Sequence, residues 1–337
     1  MDTLTHIVLG GCVGELVAGK KLGKKAIWIG AFANSIPDLD FIAGSWMQLH
    51  EELLAHRGFT HSLLFTALAT LFAALIFRRW YKKDNVHLRD WLIFFGIEIL
   101  LHVFLDSFNN YGTAWFEPFD HSRISFNTIF VADPLFSVWL LIGFIAVVVM
   151  KRTNSKRRIW PKVALALSGA YMFYCIGNKY MIDKAVKREL VYQGISYNKY
   201  LTTPTPLNNH LWFVAAGNDS GFHIGHISVF DKEKTLKLQY FPRNDSLLDG
   251  IKDQVEINNL KRFSQGFYTV EKWHDTLVFN DLRFGQIIGW HNTKEKFVFH
   301  YFVQRPEAND LVVQRGRFAK WTWKTTQTLW RRMWGQL

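Results

Sequence analysis

Residues 91–108 read WLIFFGIEILLHVFLDSF. The run is apolar and long enough to cross a membrane, yet Glu98, His102 and Asp106 interrupt it at intervals of four. That spacing puts all three on one face of a helix. Ionisable groups on one stripe of an apolar span must face protein, water or metal, because hydrocarbon solvates none of them. The stripe predicts an α-helical bundle in a membrane, with a polar site in its interior. Alone it reads equally as a hydrogen-bonded stripe, a proton relay or half of a metal site. The neighbouring segments have to decide.

Three further apolar runs occupy residues 62–77, 135–150 and 163–182, each near the length a bilayer requires. With residues 91–108 they make four strong spans. Two weaker helices, at about 3–19 and 25–36, are rich in glycine and alanine, residues that let helices approach closely in lipid. Forty Lys and Arg against 28 Asp and Glu give a net charge of +12. Most of the N-terminal cations fall in three short segments: Lys20, Lys21, Lys24 and Lys25; Arg78, Arg79, Lys82, Lys83 and Arg89; and Lys151 to Lys162. The stretches 37–61 and 109–134 hold only Arg57 and Arg123. This alternation is the positive-inside pattern of a multi-pass membrane protein, so the charge speaks of topology and no nucleic acid is expected. With the basic segments in the cytoplasm, His6, Asp38, His61, His102 and Asp106 all fall on the extracytoplasmic side of an inner (plasma) membrane.

The texture changes after residue 182. Residues 183–200 read as a connecting helix, and 201–317 alternate apolar and polar residues between turn signals, as half-buried strands do. This predicts a β-rich extracytoplasmic domain. Residues 318–337 mix tryptophans with basic residues, the composition of an amphipathic helix lying in a membrane interface. Cys12 and Cys175 sit in apolar helical contexts and read as small buried hydrophobes. The N-terminus, MDTLTH, lacks the basic region of a signal peptide.

The polar residues facing one side form a pattern of their own. PDLD (37–40) offers Asp38 and Asp40 after a proline that can end a helix. HRGFTHS (56–62) offers His56 and His61 on either side of a glycine, and LTH supplies His6. Histidine and carboxylate without cysteine is the ligand set of open catalytic zinc, manganese or iron sites. The number of candidates exceeds one tetrahedral shell, so two or more divalent ions are expected, zinc first among them. His6, Asp38 or Asp40, His56, His61, His102 and Asp106 read as one ligand set, with whichever of Asp38 and Asp40 is not a ligand serving as a general base. His56, on a loop loosened by Gly58, reads as a second-metal or substrate contact, and Arg123 as a phosphate contact. Asp133 reads equally as a ligand or a helix cap. His223 and His226 read as ordinary strand positions, and Asp281 with Arg283 as a turn or ion pair.

MDTLTH with its following GG, PDLD, HRGFTHS and LLHVFLDSFNNYG together resemble the signature of the YdjM/YbcI-type membrane-bound metal-dependent hydrolases. ADPLF (132–136), TPTPLNNHLWFV and DLRFG resemble members with a C-terminal extension. That family is in turn distantly similar to zinc-dependent phospholipase C and the trinuclear-zinc nucleases. The likeness implies that His102 and Asp106 form an H-x-x-x-D metal pair, with His6, Asp38 and His61 as further ligands. Those enzymes also ligate through a free N-terminal amine, whereas here Met1 stands five residues ahead of His6; a further histidine and glutamate of theirs have no match. The resemblance implies a membrane hydrolase cleaving a phosphoester, lipid included, at the membrane–water interface. A non-catalytic or transport-type metal-binding protein is the alternative.

Overall fold

The computed structural model describes residues 1–82, 86–305, 308–309, 318 and 320–336. Lys83 of the second basic segment, the expected domain boundary at residue 317 and Ala319 of the tail lie outside these. The chain divides into two compact units, residues 1–43 with 55–175, and residues 44–54 with 176–337.

The first unit is helical. Helix α1 (Thr3–Leu22) begins where Asp2 accepts a hydrogen bond from Thr5 N, and ends at Gly23, whose φ of +62° turns the chain back. Helix α2 (Lys25–Asn34) returns antiparallel along it. Their backbones meet at Gly10, Gly14 and Gly30, where an added Cβ would strike the facing helix. A 3-10 segment (Pro37–Trp46) follows, then α3 (Leu49–Ala55), which belongs to the second unit but for its last residue, and a 3-10 turn (Phe59–His61). Helices α4 (Leu63–Trp80) and α5 (Leu88–Asp106) form a second hairpin. Helix α6 (Pro134–Val149) packs on α1.

Among the described residues, two helices are long and apolar enough to cross a membrane: α4, with mean hydropathy 1.5, and the segment Ser155–Tyr192, with 1.3. Four strong spans were expected. Helix α5 has the length but carries Arg89, Asp90, Glu98 and Asp106, and α6 stops after 16 residues where Met150 leaves helical geometry. The outer surface of α4 is apolar, with Leu68, Leu71, Phe72 and Leu75 exposed, while polar side chains such as His102 and Glu98 are fully buried. Soluble proteins distribute these groups the other way round.

Helix α7 (Ile159–Tyr192) unites the expected fourth span and the expected connecting helix in one 34-residue rod. Residues 183–192 turn polar but contain no helix breaker, so the helix continues until Gly194 takes φ +68°. In the second unit, β1 (Lys199–Pro204), β2 (Leu211–Asn218), β3 (Gly221–Ser228) and β4 (Gln239–Pro242) form an antiparallel sheet in sequential order. Helix α8 (Gln254–Phe263) precedes a second antiparallel sheet of β5 (Tyr268–Trp273), β6 (Thr276–Gln286) and β7 (Phe297–Phe302). Helix α9 (Trp323–Met333) closes the described chain. The helical region followed by a β-sheet-rich domain is the order of elements expected.

Candidate metal centre

Every long helix at the site has a polar end and a basic end. Lys21, at the end of α1, bonds Asp90 at the start of α5 at 2.6 Å. Lys24 donates to Val148 O at 2.5 Å, and Arg152 to Lys20 O at 3.4 Å. The basic segments therefore gather at one end of the helical unit. A buried pair, Arg157 with Glu15 at 2.8 Å, anchors that end. The histidines and aspartates gather at the other.

There, His61 Nε2 lies 3.1 Å from His102 Nε2. Asp38 Oδ1 is 3.6 Å from His61 Nε2 and 3.4 Å from His102 Nε2. Asp106 Oδ2 is 3.4 Å and 3.7 Å from the same two nitrogens. All four ligand atoms lie within 4.8 Å of one another. A tetrahedron whose corners are about 2.0–2.2 Å from a zinc ion has edges of roughly 3.3–3.6 Å. Five of the six edges here, 3.1–3.7 Å, scatter about that value, so closing on such an ion requires only that the two carboxylates draw together.

The rings are turned the right way for it. His102 Nδ1 faces the carbonyl oxygen of Asn34 at 2.5 Å. A carbonyl cannot donate, so Nδ1 carries the proton and Nε2 points a lone pair at the centre. Burial pushes the His61 imidazole down to about 3, which keeps it neutral at ordinary pH. Burial alone would raise the Asp38 carboxyl, but the His102 and His61 rings beside it hold it well below the usual range.

The remaining polar residues position these four. Asp106 Oδ1 meets His6 Nε2 at 3.1 Å and the backbone amine of Met1. Its Oδ2 has no hydrogen-bond partner among the described residues, although Arg57 Nε stands 3.0 Å away, close enough to attract and misaligned for a bond. The structure thus places His6 beside the group of four. Its ring stacks on His102 at 3.7 Å, and its Nδ1 meets Asn34 Oδ1 at 3.2 Å. Asn34 Nδ2 in turn donates to Glu98 Oε2 at 3.1 Å and to Glu98 O at 2.8 Å. Buried Arg57 also reaches Asn109 Oδ1 at 2.9 Å and Met1 O at 3.0 Å.

Asp40 and His56 make a separate pair. Asp40 Oδ1 is 3.2 Å from His56 Nδ1, while Oδ2 accepts from Arg57 N at 2.8 Å and Thr60 Oγ1 at 3.2 Å. Burial works against the charge on Asp40, but the bond to His56 and its other partners hold the carboxyl below its ordinary value. The His56 side chain is 40 % exposed, whereas that of His61 is fully buried. Arg123 donates to His56 O at 2.8 Å, which ties the histidine's loop down.

Other sequence candidates resolve elsewhere. Asp133 caps α6, accepting from Leu135 N at 2.9 Å and Phe136 N at 3.3 Å. His223 and His226 lie in β3. Arg283 grips Asp281 at 2.6 Å inside β6, next to a bulge rather than in a turn. Cys12 and Cys175 are buried and unpaired by disulfide.

Residues 1–181 match the family model described as YdjM inner membrane protein. The chain belongs to that family. The matched segment contains every member of the four-residue group, so YdjM-type membership and the metal-ready geometry describe the same part of the molecule. Inner membrane protein YbcI of Escherichia coli (strain K12) is 30% identical over 122 residues, covering 36% of this chain and 69% of YbcI. YfhP of Bacillus subtilis (strain 168) is 25% identical over 313 residues, covering 84% of this chain and 87% of YfhP. No solved structure matches the chain. As a YdjM family member with apolar helices, the chain is a membrane protein, and its Asp and His cluster could hold a metal ion.

Sequence reasoning passed over Asn34, Arg57 and Asn109. An isolated asparagine ending an apolar helix, or one arginine in a polar loop, carries no periodic signal. The clue available was negative: Arg57 breaks the near-absence of cations between residues 37 and 61.

Proposed function

We propose that this protein is an integral-membrane, metal-dependent hydrolase that cleaves a phosphoester, lipid substrates included, at the extracytoplasmic membrane–water interface. The carrying observation is the close grouping of Asp38, His61, His102 and Asp106 about one centre, with the half-exposed His56 held by Asp40 beside it. A divalent ion bound there, zinc before manganese or iron, supplies charge stabilisation of phosphoryl oxygens and a lowered pKa for water. The chain's own residues do the rest. Asp40 holds the half-exposed His56 ring through Nδ1, which leaves Nε2 to move a proton, the arrangement of a carboxylate-held general base. Arg57, 3.0 Å from Asp106, adds a fixed positive charge near the reacting group. The same chemistry accommodates more than one ion, with His6 in reserve beside the first.

The multi-pass topology follows the positive-inside rule: the end where Lys21, Lys24 and Arg152 meet is cytoplasmic, and the metal end is outside. A transport function draws on Glu98, which continues the polar chain one helical turn deeper through Asn34. The two are separated by measuring metal content, hydrolysis of phosphodiester and phospholipid substrates, and metal flux on the same reconstituted protein. Stoichiometric metal with hydrolysis and no flux supports the hydrolase. Flux without hydrolysis refutes it.

A further inference from the structure

Helix α9 is fixed to the β-rich unit by one face and leaves another bare. Thr325 and Leu329 are buried beneath it. Ser228 Oγ donates to Met333 O at 2.6 Å, and Arg332 holds both carboxylate oxygens of Asp231 at 2.8 and 3.2 Å. The segment is therefore a packed element of the domain. Trp323 and Trp330 leave the axis of α9 within about 20° of one another at 100° per residue, and Trp334 follows directly as the residue that caps the helix. They are 78%, 61% and 42% exposed, an unusual amount of bare indole for one short helix. Exposed Lys324 and Arg331 flank this row, and neither has a carboxylate partner among the described residues.

A cleft of about 610 Å³ opens beside the basic flank, lined by His226, Lys232, Lys237, Trp290, Arg331 and Arg332, among others. Arg332 is neutralised by Asp231, which leaves Lys232, Lys237 and Arg331 facing a single acid, Glu233. We propose that α9 rests on an anionic lipid surface. The tryptophan row lies in the interfacial zone, and the cations of its flank and cleft meet lipid phosphates. Indole suits that zone because one edge is apolar and the other hydrogen-bonds, and Lys and Arg beside it are drawn by the negative surface potential. Protein–protein interface cores, by contrast, are depleted of lysine.

The test uses the full chain in lipid nanodiscs, with an environment-sensitive nitrobenzoxadiazole label on Trp330→Cys or, independently, Trp323→Cys. Cys12 and Cys175 are buried and stay unlabelled. Both labels should emit at shorter wavelength in phosphatidylglycerol discs and be quenched by doxyl-labelled lipid. A label on Asp219→Cys, whose side chain is 78% exposed in the β2–β3 turn, should do neither. Adding Lys324→Glu and Arg331→Glu should relieve the quenching. Three results overturn the proposal: no quenching at either position, equal quenching in pure phosphatidylcholine discs, or a blue shift without quenching. The last would mean that a second copy of the chain covers the row.

Discussion

His61 Nε2 and His102 Nε2, both fully buried, face each other across 3.1 Å, one held by the turn that leads into α4 and the other by α5. Two imidazole nitrogens this close share one proton or one cation. Because Asn34 O already holds the proton of His102 on Nδ1, the pair is one hydrogen short of comfort without a donor from His61. A metal ion would resolve the contact for both rings.

The first prediction follows directly. His61→Ala and His102→Ala should each lose bound metal by more than the 10–100-fold typical of disturbing a residue behind the ligands. Metal analysis of the purified, membrane-inserted variants checks it. Retention of full metal in both variants would refute the assignment.

His56→Ala should behave differently. Its ring lies outside the four-atom group and is partly exposed, so at least one metal equivalent should remain while turnover falls by roughly 10²–10⁴-fold, the usual worth of a general base. Asp40→Asn should give a smaller loss of the same kind, with metal intact. Parallel metal analysis and kinetics distinguish these from the ligand variants.

The α1–α2 crossing leaves no room for side chains at Gly10 or Gly30. A methyl at Gly10 meets both Gly30 O and Cβ of Asn34, so Gly10→Ala should force the helices apart. Overpacking of this kind costs about 1–3 kcal/mol. Here it should also displace Asn34 and weaken metal binding, measurable as a lower Tm together with reduced metal content.

The β-rich unit should be acid-labile through His226. Burial and the nearby Arg332 push its imidazole down to about 3. The unfolded chain, with an ordinary histidine value near 6.5, then binds more protons than the fold between roughly pH 3 and 6.5. Stability therefore rises with pH across that window and falls as pH drops. Each kcal/mol lost shifts Tm by roughly 2–4 °C for a domain of this size. His226→Gln should flatten the dependence, and thermal melts at pH 7 and 4.5 would show it.

A label at Ser122→Cys, exposed in the loop between α5 and α6, should react with impermeant reagent from outside the cell, and one at Arg79→Cys only after permeabilisation. The reverse would invert the topology.

The local patterns in the chain were legible because they repeat. The four-residue spacing of Glu98, His102 and Asp106 survives into α5, and the alternation after residue 200 into two sheets. What could not be read is geometry between segments. Nothing in PDLD separates Asp38, at the metal-ready group, from Asp40, which turns toward His56. Their carboxylates are two residues apart on a 3-10 turn, and only the packed loop of residues 56–61 tells them apart. Hydropathy likewise overcounted strong spans: α5 lines a polar site and carries four charged residues, and α6 stops two residues short of the length a span needs.

Asn34 ends a ten-residue helix and is bonded through its carbonyl to His102, through its side-chain oxygen to His6 and through its side-chain nitrogen to Glu98. No other residue type reproduces all three. Aspartate would set a second carboxylate against Glu98, glutamine would overreach, and serine would leave a buried partner unmet. The orientation of two histidines and the tolerance for a buried glutamate are thus inherited as one unit. The interior of this bundle cannot be retuned by small independent steps.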